Sequence, residues 1–462
     1  MTDDEPVRRD VLQTIAATSQ RTPKFIWYFS LFFISSAPLL STKRSTKMKK
    51  HFAPRLQLLV TIALVTVFVR AAHADVIMDW NAKGDAIAAE KQFLLQTRVM
   101  SMLHIAMFEA VNAIERRYAP YKLTLAADRS TSKEAAAATA AHDVLLAIYP
   151  DQKTMLDAAL SASLSSIPES DGKAKGIALG KEAAEGVIAL RANDGADARE
   201  SYRHHTKAGV YVPTVTPIFS TFGASTPWVM TSGSQFRPGP PPGLDSDTWT
   251  RDVNEIRELG GRNSTVRTPE QTTIGRFWFL VGPRTFNPIV RQAALAKNMD
   301  VVDCARLFAL ASIAGNDAAV AVFDAKYHYN FWRPITAIRN ADITQNAATP
   351  RNESWLPLGD TPMHPEYPCA HCIISAAVST VLRNVVGDEF GEFSLTSPTA
   401  PGVVRKWSRL QAYSDEVANA RIYAGFHYRF STEVGKDMGK KIGQLTVETQ
   451  LRGLEASADP KR

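Results

Sequence analysis

Residues 93–118 read FLLQTRVMSMLHIAMFEAVNAIERRY, and this stretch decides the fold class. Its apolar residues recur at intervals of three and four, which places them on one face of an α-helix. Residues 135–149 and 174–192 repeat the pattern, whereas the alternation typical of β-strands is rare. The sequence therefore predicts an all-α fold built from packed helical bundles.

The helical pattern stops at residues 201–244, where proline, glycine, threonine and serine accumulate. We expect a long ordered loop there, at the end of an N-terminal helical half that spans residues 75–245. Helical signals resume at Ser246, which can cap a helix that Gly260 ends. The C-terminal half, residues 246–462, holds nearly all of the residues that could perform chemistry. Its further helices are expected at 269–280, 289–315 and 317–332, around 369–380, and from about 403 to the C-terminus.

The positive charge of the chain lies at its N-terminus. The net charge is +7, but residues 1–74 alone contain 11 basic and 4 acidic residues, so the remainder is neutral. A neutral body argues against a nucleic-acid partner, which needs an extended basic surface.

A secretory signal peptide is predicted at residues 48–74, with a basic start, an apolar run and a small-residue cleavage site that ends at Ala74. Residues 1–47 would then be an upstream extension of the reading frame, and the mature chain would begin at Asp75. The alternative is that this run and residues 25–40 are both membrane anchors, although each is shorter than a spanning helix requires. We expect an exported protein, periplasmic or secreted, with no membrane span after cleavage.

Residues 365–372 read PEYPCAHC and could be a metal clip, a redox pair or the start of a helix that holds an anion. A zinc site would need a second pair of ligands at metal spacing, which the sequence lacks. The apolar residues 373–382 predict a buried helix, so Cys369, Ala370 and His371 fall in its first turn. Free backbone N–H groups there favour an oxyanion, and an anion-binding helix start is the preferred interpretation.

Two cations occur in the stretch KYHYNFWRP, residues 326–334. Lys326 and Arg333 are seven residues apart, which is two helical turns and places both on one face. Pro334 disfavours helical geometry at Arg333, so its guanidinium is expected at a helix end. A solvated basic surface is the alternative, but the surrounding aromatic residues favour a partly buried site.

A third cation and a second histidine occur in ARIYAGFHYRFSTEVG, residues 420–435. Arg421 and His427 are about 120° apart on a regular helix, so they converge only if the chain breaks between them. Gly425 is the natural position for that break. Three cations, two histidines and a helix start together indicate a site for a phosphate-shaped oxyanion.

The order of these motifs resembles that of the type 2 phosphatidic acid phosphatase and vanadium-dependent haloperoxidase superfamily, in its exported, haloperoxidase-like branch. The matching positions are Lys326, Arg333 and Pro334; Pro368 and His371; and Arg421 and His427. Three motifs in this order over about a hundred residues are a fairly specific signal.

Four positions bear on how the resemblance is interpreted. Cys369 replaces the serine of the family and Ala370 its glycine, so a poorer hydrogen-bond donor and an extra methyl group adjoin the oxyanion. A Cys369 thiol at a helix start is expected to be acidified. Ser431 stands where the family often has an aspartate, and its hydroxyl could orient His427. His364 occupies a place near the pocket where some bromide-oxidising relatives also carry histidine, and the alternative is a histidine in a surface loop.

The resemblance implies either of two chemistries. In a haloperoxidase, vanadate would bind among Lys326, Arg333, Arg421 and the helix start, with His427 as its metal ligand, while His371 handles protons as hydrogen peroxide oxidises halide. In an acid phosphatase no cofactor is needed, because His427 would attack a phosphomonoester and form a phosphohistidine, with His371 as the acid. A non-catalytic oxyanion-binding protein is a third alternative, and a homodimer remains open.

Overall fold

Nearly all of the regular structure is helical. The computed structural model describes residues 75–89, 91 and 93–454, so the predictions for the N-terminal extension and the signal peptide lie outside the described residues. Within this part of the chain there are thirteen α-helices and one two-stranded sheet, which confirms the predicted all-α class. The α-helices are α1 (Asp75–Ala88), α2 (Phe93–Glu115), α3 (Lys133–Ile148), α4 (Lys153–Ser165), α5 (Asp171–Arg191), α6 (Asp247–Leu259), α7 (Pro269–Phe277), α8 (Asn287–Ala296), α9 (Val301–Tyr329), α10 (Pro334–Arg339), α11 (Ala370–Val386), α12 (Leu410–Tyr423) and α13 (Arg429–Thr449).

Helix α9 is the central element of the core. It packs against α2 from the N-terminal half and against α11 from the C-terminal half, so one apolar cluster includes residues from both. By length and composition α9 could cross a membrane, which was not expected from the sequence. However, 94% of its apolar 18-residue segment is buried inside the protein. Its apolar character is therefore explained by its place in the core.

Two helix pairs pack closely through glycines spaced four residues apart. On α13, Gly435, Gly439 and Gly443 face the backbone of α11, and a Cβ atom at Gly439 would lie 2.2 Å from the Ile373 carbonyl oxygen. In the N-terminal half, Gly176 and Gly180 of α5 face α3 in the same way. Because residues four apart share one helix face, each row lets two helix backbones touch.

The loop predicted at residues 201–244 is present and ordered, with one short 3-10 turn at Phe222–Ala224. Two aspartates of α9 hold it. Asp317 is fully buried and accepts hydrogen bonds from the backbone N–H groups of residues 228–230, at 2.7 to 2.8 Å. The Asp324 carboxylate accepts hydrogen bonds from both Nε and Nη2 of Arg237. The loop is therefore fixed to the core helix at two points.

Some element boundaries differ from the prediction. Residues that were expected to start the last helical segment form strand β2 (Ala400–Trp407), which pairs antiparallel with β1 (Phe393–Ser397). The predicted helix at 289–315 is divided, because α8 ends at Ala296 and Asp300 caps the start of α9. Ser246 caps α6 and Gly260 ends it, as predicted.

Candidate active site

The start of α11 forms one side of the site. Cys369 is the N-cap residue, and its sulfur accepts from the backbone N–H of Cys372 at 3.2 Å. The two cysteines also form a disulfide, while Cys304 is free and buried. The expectation of a free, acidified Cys369 thiol is therefore wrong, since a disulfide sulfur has no proton to donate. The oxyanion-binding capacity of this turn lies in its backbone N–H groups, with Ala370 facing the cavity described below.

Lys326 lies in the last turn of α9 and is fully buried. Its Nζ donates to the carbonyl oxygens of Pro365 at 3.0 Å and Glu366 at 2.7 Å. Burial, followed by repulsion from Arg333, lowers the pKa of the Lys326 ammonium well below its usual value. The lysine therefore joins the end of α9 to the segment that precedes α11.

Arg333 lies beyond the end of α9, as Pro334 predicted. Asn330 adopts a left-handed conformation that ends the helix, and Arg333 takes the N-cap position of α10. Its guanidinium donates to the carbonyl oxygens of His364 at 2.9 Å and Phe426 at 3.0 Å, and it reaches Nε2 of His427 at 3.3 Å. Arg333 therefore connects two loops that surround the site.

A break at Gly425 brings Arg421 and His427 together, as predicted. Helix α12 ends at Tyr423, and Gly425 has a φ of 80°, in the region that favours glycine. The returning chain places the His427 N–H 3.3 Å from the Arg421 carbonyl oxygen. The Arg421 guanidinium lies over the ring of Phe426 and donates to the carbonyl of Trp278, while its buried Nε has no hydrogen-bond partner among the described residues.

The orienting partner of His427 is Glu366, which the sequence interpretation missed. Its Oε1 lies 2.7 Å from Nδ1 of His427 and accepts from the Tyr428 backbone N–H at 3.2 Å. Ser431, the predicted partner, is buried instead beside the Glu366 carboxylate. Glu366 lies within the quoted PEYPCAHC stretch, and the missing carboxylate at position 431 was the signal that could have drawn attention to it.

The hydrogen bonds fix the tautomer of His427. The Arg333 guanidinium can only donate, so Nε2 must accept and carries no proton. Nδ1 then carries the proton and donates it to Glu366. Burial and the three nearby cations lower the pKa of His427 well below its usual value. The ring is therefore neutral, and Nε2 has an available lone pair.

Positive charge exceeds negative charge in this buried region. Lys326, Arg333 and Arg421 are all buried around the site, and Glu366 is the carboxylate in contact with His427. Burial lowers the pKa of Arg333 to about 10 and, together with repulsion from Arg333, the pKa of Arg421 to about 9. Burial also raises the pKa of Glu366 to about 7. A bound oxyanion would relieve this imbalance, so the residues present fit such a group.

His371 and His364 adjoin the same region. Nε2 of His371 lies 3.2 Å from the carbonyl oxygen of Leu280, which can only accept, so Nε2 carries the proton and Nδ1 is free to receive one. Burial lowers the pKa of His371 well below its usual value. Nδ1 of His364 accepts from Arg333 at 2.9 Å, and His364 packs edge-on against Phe323.

A cavity of about 620 Å³ leads to these groups. The site residues that line it are His364, Ala370, His371, Arg421 and His427. Its other walls are mainly apolar or aromatic, and they include Phe93 and Ile218 from the N-terminal half. The cavity can therefore admit a small molecule to the unprotonated Nε2 of His427 and to Nδ1 of His371.

Comparison with known proteins identifies the region that carries these residues. Residues 306–455 match the family model of the VCPO second helical-bundle domain. The resemblance to the haloperoxidase-like branch of the superfamily is confirmed. The matched segment begins within α9 and includes the whole of α13, all three cations and His427.

Known relatives are similar over different shares of the chain. The vanadium chloroperoxidase of Curvularia inaequalis is 27% identical over 289 residues, which cover 47% of this chain and 46% of that protein. The chain thus matches about half the length of this relative. A crystal structure of a bacterial vanadium-dependent iodoperoxidase superposes with a TM-score of 0.69 at 24% identity, covering 82% of this chain and 97% of that one. A bacterial vanadium-dependent chloroperoxidase gives 0.61 at 18% identity, covering 77% and 91%. These two superpositions establish the similarity of fold.

Proposed function

We propose that this chain is an exported, vanadium-dependent haloperoxidase-like enzyme that oxidises halide with hydrogen peroxide. The observation that carries the proposal is the neutral His427, whose unprotonated Nε2 lies in a region of three buried cations. That arrangement suits an oxyanion whose central atom accepts a nitrogen ligand. The haloperoxidase relatives favour vanadate as that oxyanion.

Each contact that vanadate requires has a candidate in this chain. Nε2 of His427 would be the nitrogen ligand, and Lys326, Arg333 and Arg421 would balance the negative charge. The backbone N–H groups at the start of α11 would donate to oxygen, while the Cys369–Cys372 disulfide contributes no side-chain donor. When bound, vanadate supplies a Lewis acid that activates hydrogen peroxide toward halide, giving hypohalous acid.

The side chains around the site manage protons and orientation. Nε2 of His371 donates its proton to the Leu280 carbonyl oxygen, so Nδ1 is the unprotonated nitrogen and can take a proton from hydrogen peroxide. Glu366 is a positioning residue, because it holds the proton of His427 on Nδ1 and so keeps Nε2 unprotonated. The cavity walls, which are mainly apolar or aromatic, lower the local dielectric constant and so strengthen the charge interactions inside.

Phosphatase activity is the second candidate, because the same observation favours it. An unprotonated Nε2 backed by a carboxylate is also the arrangement that a nucleophilic histidine requires. His427 would then form a bond to phosphorus as the ester oxygen leaves, and a protonated His371 would supply the proton to that oxygen.

Two histidine variants test the proposal. His427→Ala removes the nitrogen ligand, so bromide or iodide oxidation in the presence of vanadate should be abolished and vanadate affinity should fall. His371→Ala should retain vanadate binding but lose roughly 10²- to 10⁴-fold in rate, the usual contribution of an acid–base group. The measurements are halide oxidation, hydrolysis of p-nitrophenyl phosphate and vanadate binding, each on the purified mature chain.

The outcomes separate the three functions. Oxidation that requires vanadate supports the haloperoxidase, and ester hydrolysis that vanadate inhibits supports the phosphatase. Oxyanion binding with neither activity would leave a non-catalytic binding protein. If His427→Ala retains wild-type rate and vanadate affinity, His427 has no role in the site and the proposal is wrong.

Export is the part of the proposal that depends on the N-terminus. N-terminal sequencing of material from the periplasm or the culture medium should begin at Asp75. Recovery of a chain that still carries Met48 in the membrane fraction would contradict it.

A further inference from the structure

Two methionines in the described part of the chain have more than a third of their surface exposed. Met155, on α4, is 48% exposed, and Met363 is 41% exposed. Only Met363 of these two lines the cavity that holds His371, His427 and Arg421. A thioether is therefore present on the route between the histidines and solvent.

The structure holds Met363 at this wall. Its carbonyl oxygen accepts from the backbone N–H of Ile218 at 3.1 Å, which ties its segment to the long loop. The next residue, His364, is bound through its carbonyl oxygen and Nδ1 to Arg333. The thioether consequently belongs to a segment that is anchored at Met363 itself and at the residue that follows it.

We propose that Met363 is a modification site, oxidised to the sulfoxide by hypohalous acid on its way out of the cavity. The inference rests on the proposed function, which supplies the oxidant. Thioethers are among the protein groups most readily oxidised to a stable product. Because the product forms at the inner end of the cavity, Met363 meets it before the product is diluted into solvent.

The chemistry balances without another reactant besides water. The sulfur lone pair attacks the halogen of hypohalous acid, which forms a sulfur–halogen bond and releases hydroxide. Water then attacks sulfur, the sulfur–halogen bond breaks, and halide and two protons leave; one proton neutralises the hydroxide. Sulfur loses two electrons and the halogen gains two, so the net products are sulfoxide, halide and one proton.

Oxidation would change the entrance of the cavity. The thioether lies in a wall that also contains Phe279, Leu358 and Phe426. A sulfoxide places a strong hydrogen-bond acceptor among these apolar groups. Apolar molecules should therefore enter the oxidised protein less readily than the unmodified protein.

Met155 is a matched internal control for the experiment. Trypsin releases Met363 in the peptide 352–383 and Met155 in the peptide 154–173, and each peptide contains one methionine. The full mature chain, loaded with vanadate, is given bromide and limiting hydrogen peroxide, and sulfoxide in both peptides is measured by mass spectrometry at early turnover. Parallel samples receive added hypobromite, or hydrogen peroxide without bromide.

During turnover, Met363 should be oxidised several-fold faster than Met155, whereas added hypobromite should oxidise the two at similar rates. Met363→Leu should remove the added oxygen from peptide 352–383, which separates methionine oxidation from oxidation of Trp355 in the same peptide. Equal oxidation of both methionines during bromide oxidation would overturn the inference and leave the proposed function intact. If neither bromide nor iodide is oxidised, the proposed function itself fails.

Discussion

At the residue scale, His427 is held through both ring nitrogens. Arg333 donates to Nε2, and Nδ1 donates to Glu366, so the ring has one orientation and one tautomer. Any group that binds Nε2 must displace the Arg333 contact, which leaves that guanidinium free to bind an oxygen atom of the ligand. The arginine can thus change partners without losing its remaining hydrogen bonds to His364 and Phe426.

If the proposed function holds, Glu366→Gln should lower halide oxidation by about 10- to 100-fold, the usual cost of removing the partner of a metal-binding histidine. The amide can still accept from Nδ1, but it lacks the negative charge that makes the ring basic. Phosphate binding should not weaken, because the three cations remain and lose an opposing charge. Steady-state kinetics and phosphate calorimetry make the comparison.

Ser431→Ala is the matched control, since Glu366 and not Ser431 is the hydrogen-bond partner of Nδ1 of His427. It should have a much smaller effect on the rate than Glu366→Gln. Equal losses of rate and of phosphate binding in the glutamine variant would instead indicate a disrupted site.

Oxyanion binding should be accompanied by proton uptake. The pKa of Lys326 is well below its usual value in the free protein, through burial and repulsion by Arg333, and an anion would raise it. A group whose pKa rises on binding gains protons, so affinity should increase as pH falls. Phosphate calorimetry in two buffers of different ionisation enthalpy should give different heats, and Lys326→Met should reduce the difference. Identical heats in both buffers would refute the linkage.

The clustering of the cations and histidines could be predicted from the sequence, because the residues that break the helices lie next to them or between them. Pro334 and Gly425 are local signals, and both breaks occur where they were expected. The contact between Glu366 and His427 joins residues 61 positions apart, and no local pattern encodes it. The Cys369–Cys372 disulfide was missed for another reason, since two cysteines at this spacing are equally compatible with free thiols.

At the element scale, the glycine row of α13 fixes the position of α11. Gly435 lies beside the Cys369 carbonyl, where an added Cβ would be 2.8 Å from oxygen, and Gly439 and Gly443 continue the contact along the helix. The start of α11 carries His371, so the packing of two helix backbones determines where this histidine lies.

Gly439→Ala should lower the free energy of unfolding by about 1–3 kcal/mol, the usual cost of overpacking, despite the better helix propensity of alanine. The new methyl group would meet the Ile373 carbonyl, a backbone atom that cannot move independently. Gly239→Ala is the control, because no atom lies within 4 Å of its added Cβ. Chemical denaturation measures both, and similar stabilities of the two variants would contradict the packing argument.

The two aspartates of α9 should contribute unequally to holding the long loop. Asp317→Ala leaves three backbone N–H groups without their acceptor, and each buried unsatisfied group costs about 1–3 kcal/mol. Asp324→Ala breaks a partly exposed pair with Arg237 and should cost about 1 kcal/mol or less. Limited proteolysis within residues 201–244 and denaturation would test this order. Greater damage from the Asp324 variant would contradict it.

Element boundaries were less predictable than element type. The alternation in Phe393–Ser397 extends over only five residues, and a strand this short forms because Ala400–Trp407 pairs with it. A pairing partner is a tertiary feature that helical periodicity cannot reveal. Helix α9 was recognisable as helical, but only its packing shows that it is buried along most of its length.

At the scale of the whole molecule, the two predicted halves share one core. Helix α9 belongs to the C-terminal half by sequence, yet it packs against α2 as well as α11. The prediction of two halves came from a change in composition at residues 201–244, and that change marks a loop on α9 and not a gap in the core. Composition indicates where helices end, but it does not indicate which helix the intervening loop packs against.

Both halves of the chain contribute residues to the cavity walls, and this determines what would change if one half were replaced by recombination. Every charged group that contacts His427 comes from the C-terminal half, but Phe93 and Ile218 complete the wall from the other half. Recombination that replaced only the segment before residue 246 would retain the reactive groups and alter their access and selectivity. Inheritance of new substrate preferences could therefore proceed through the N-terminal half, without any change in the residues that perform the reaction.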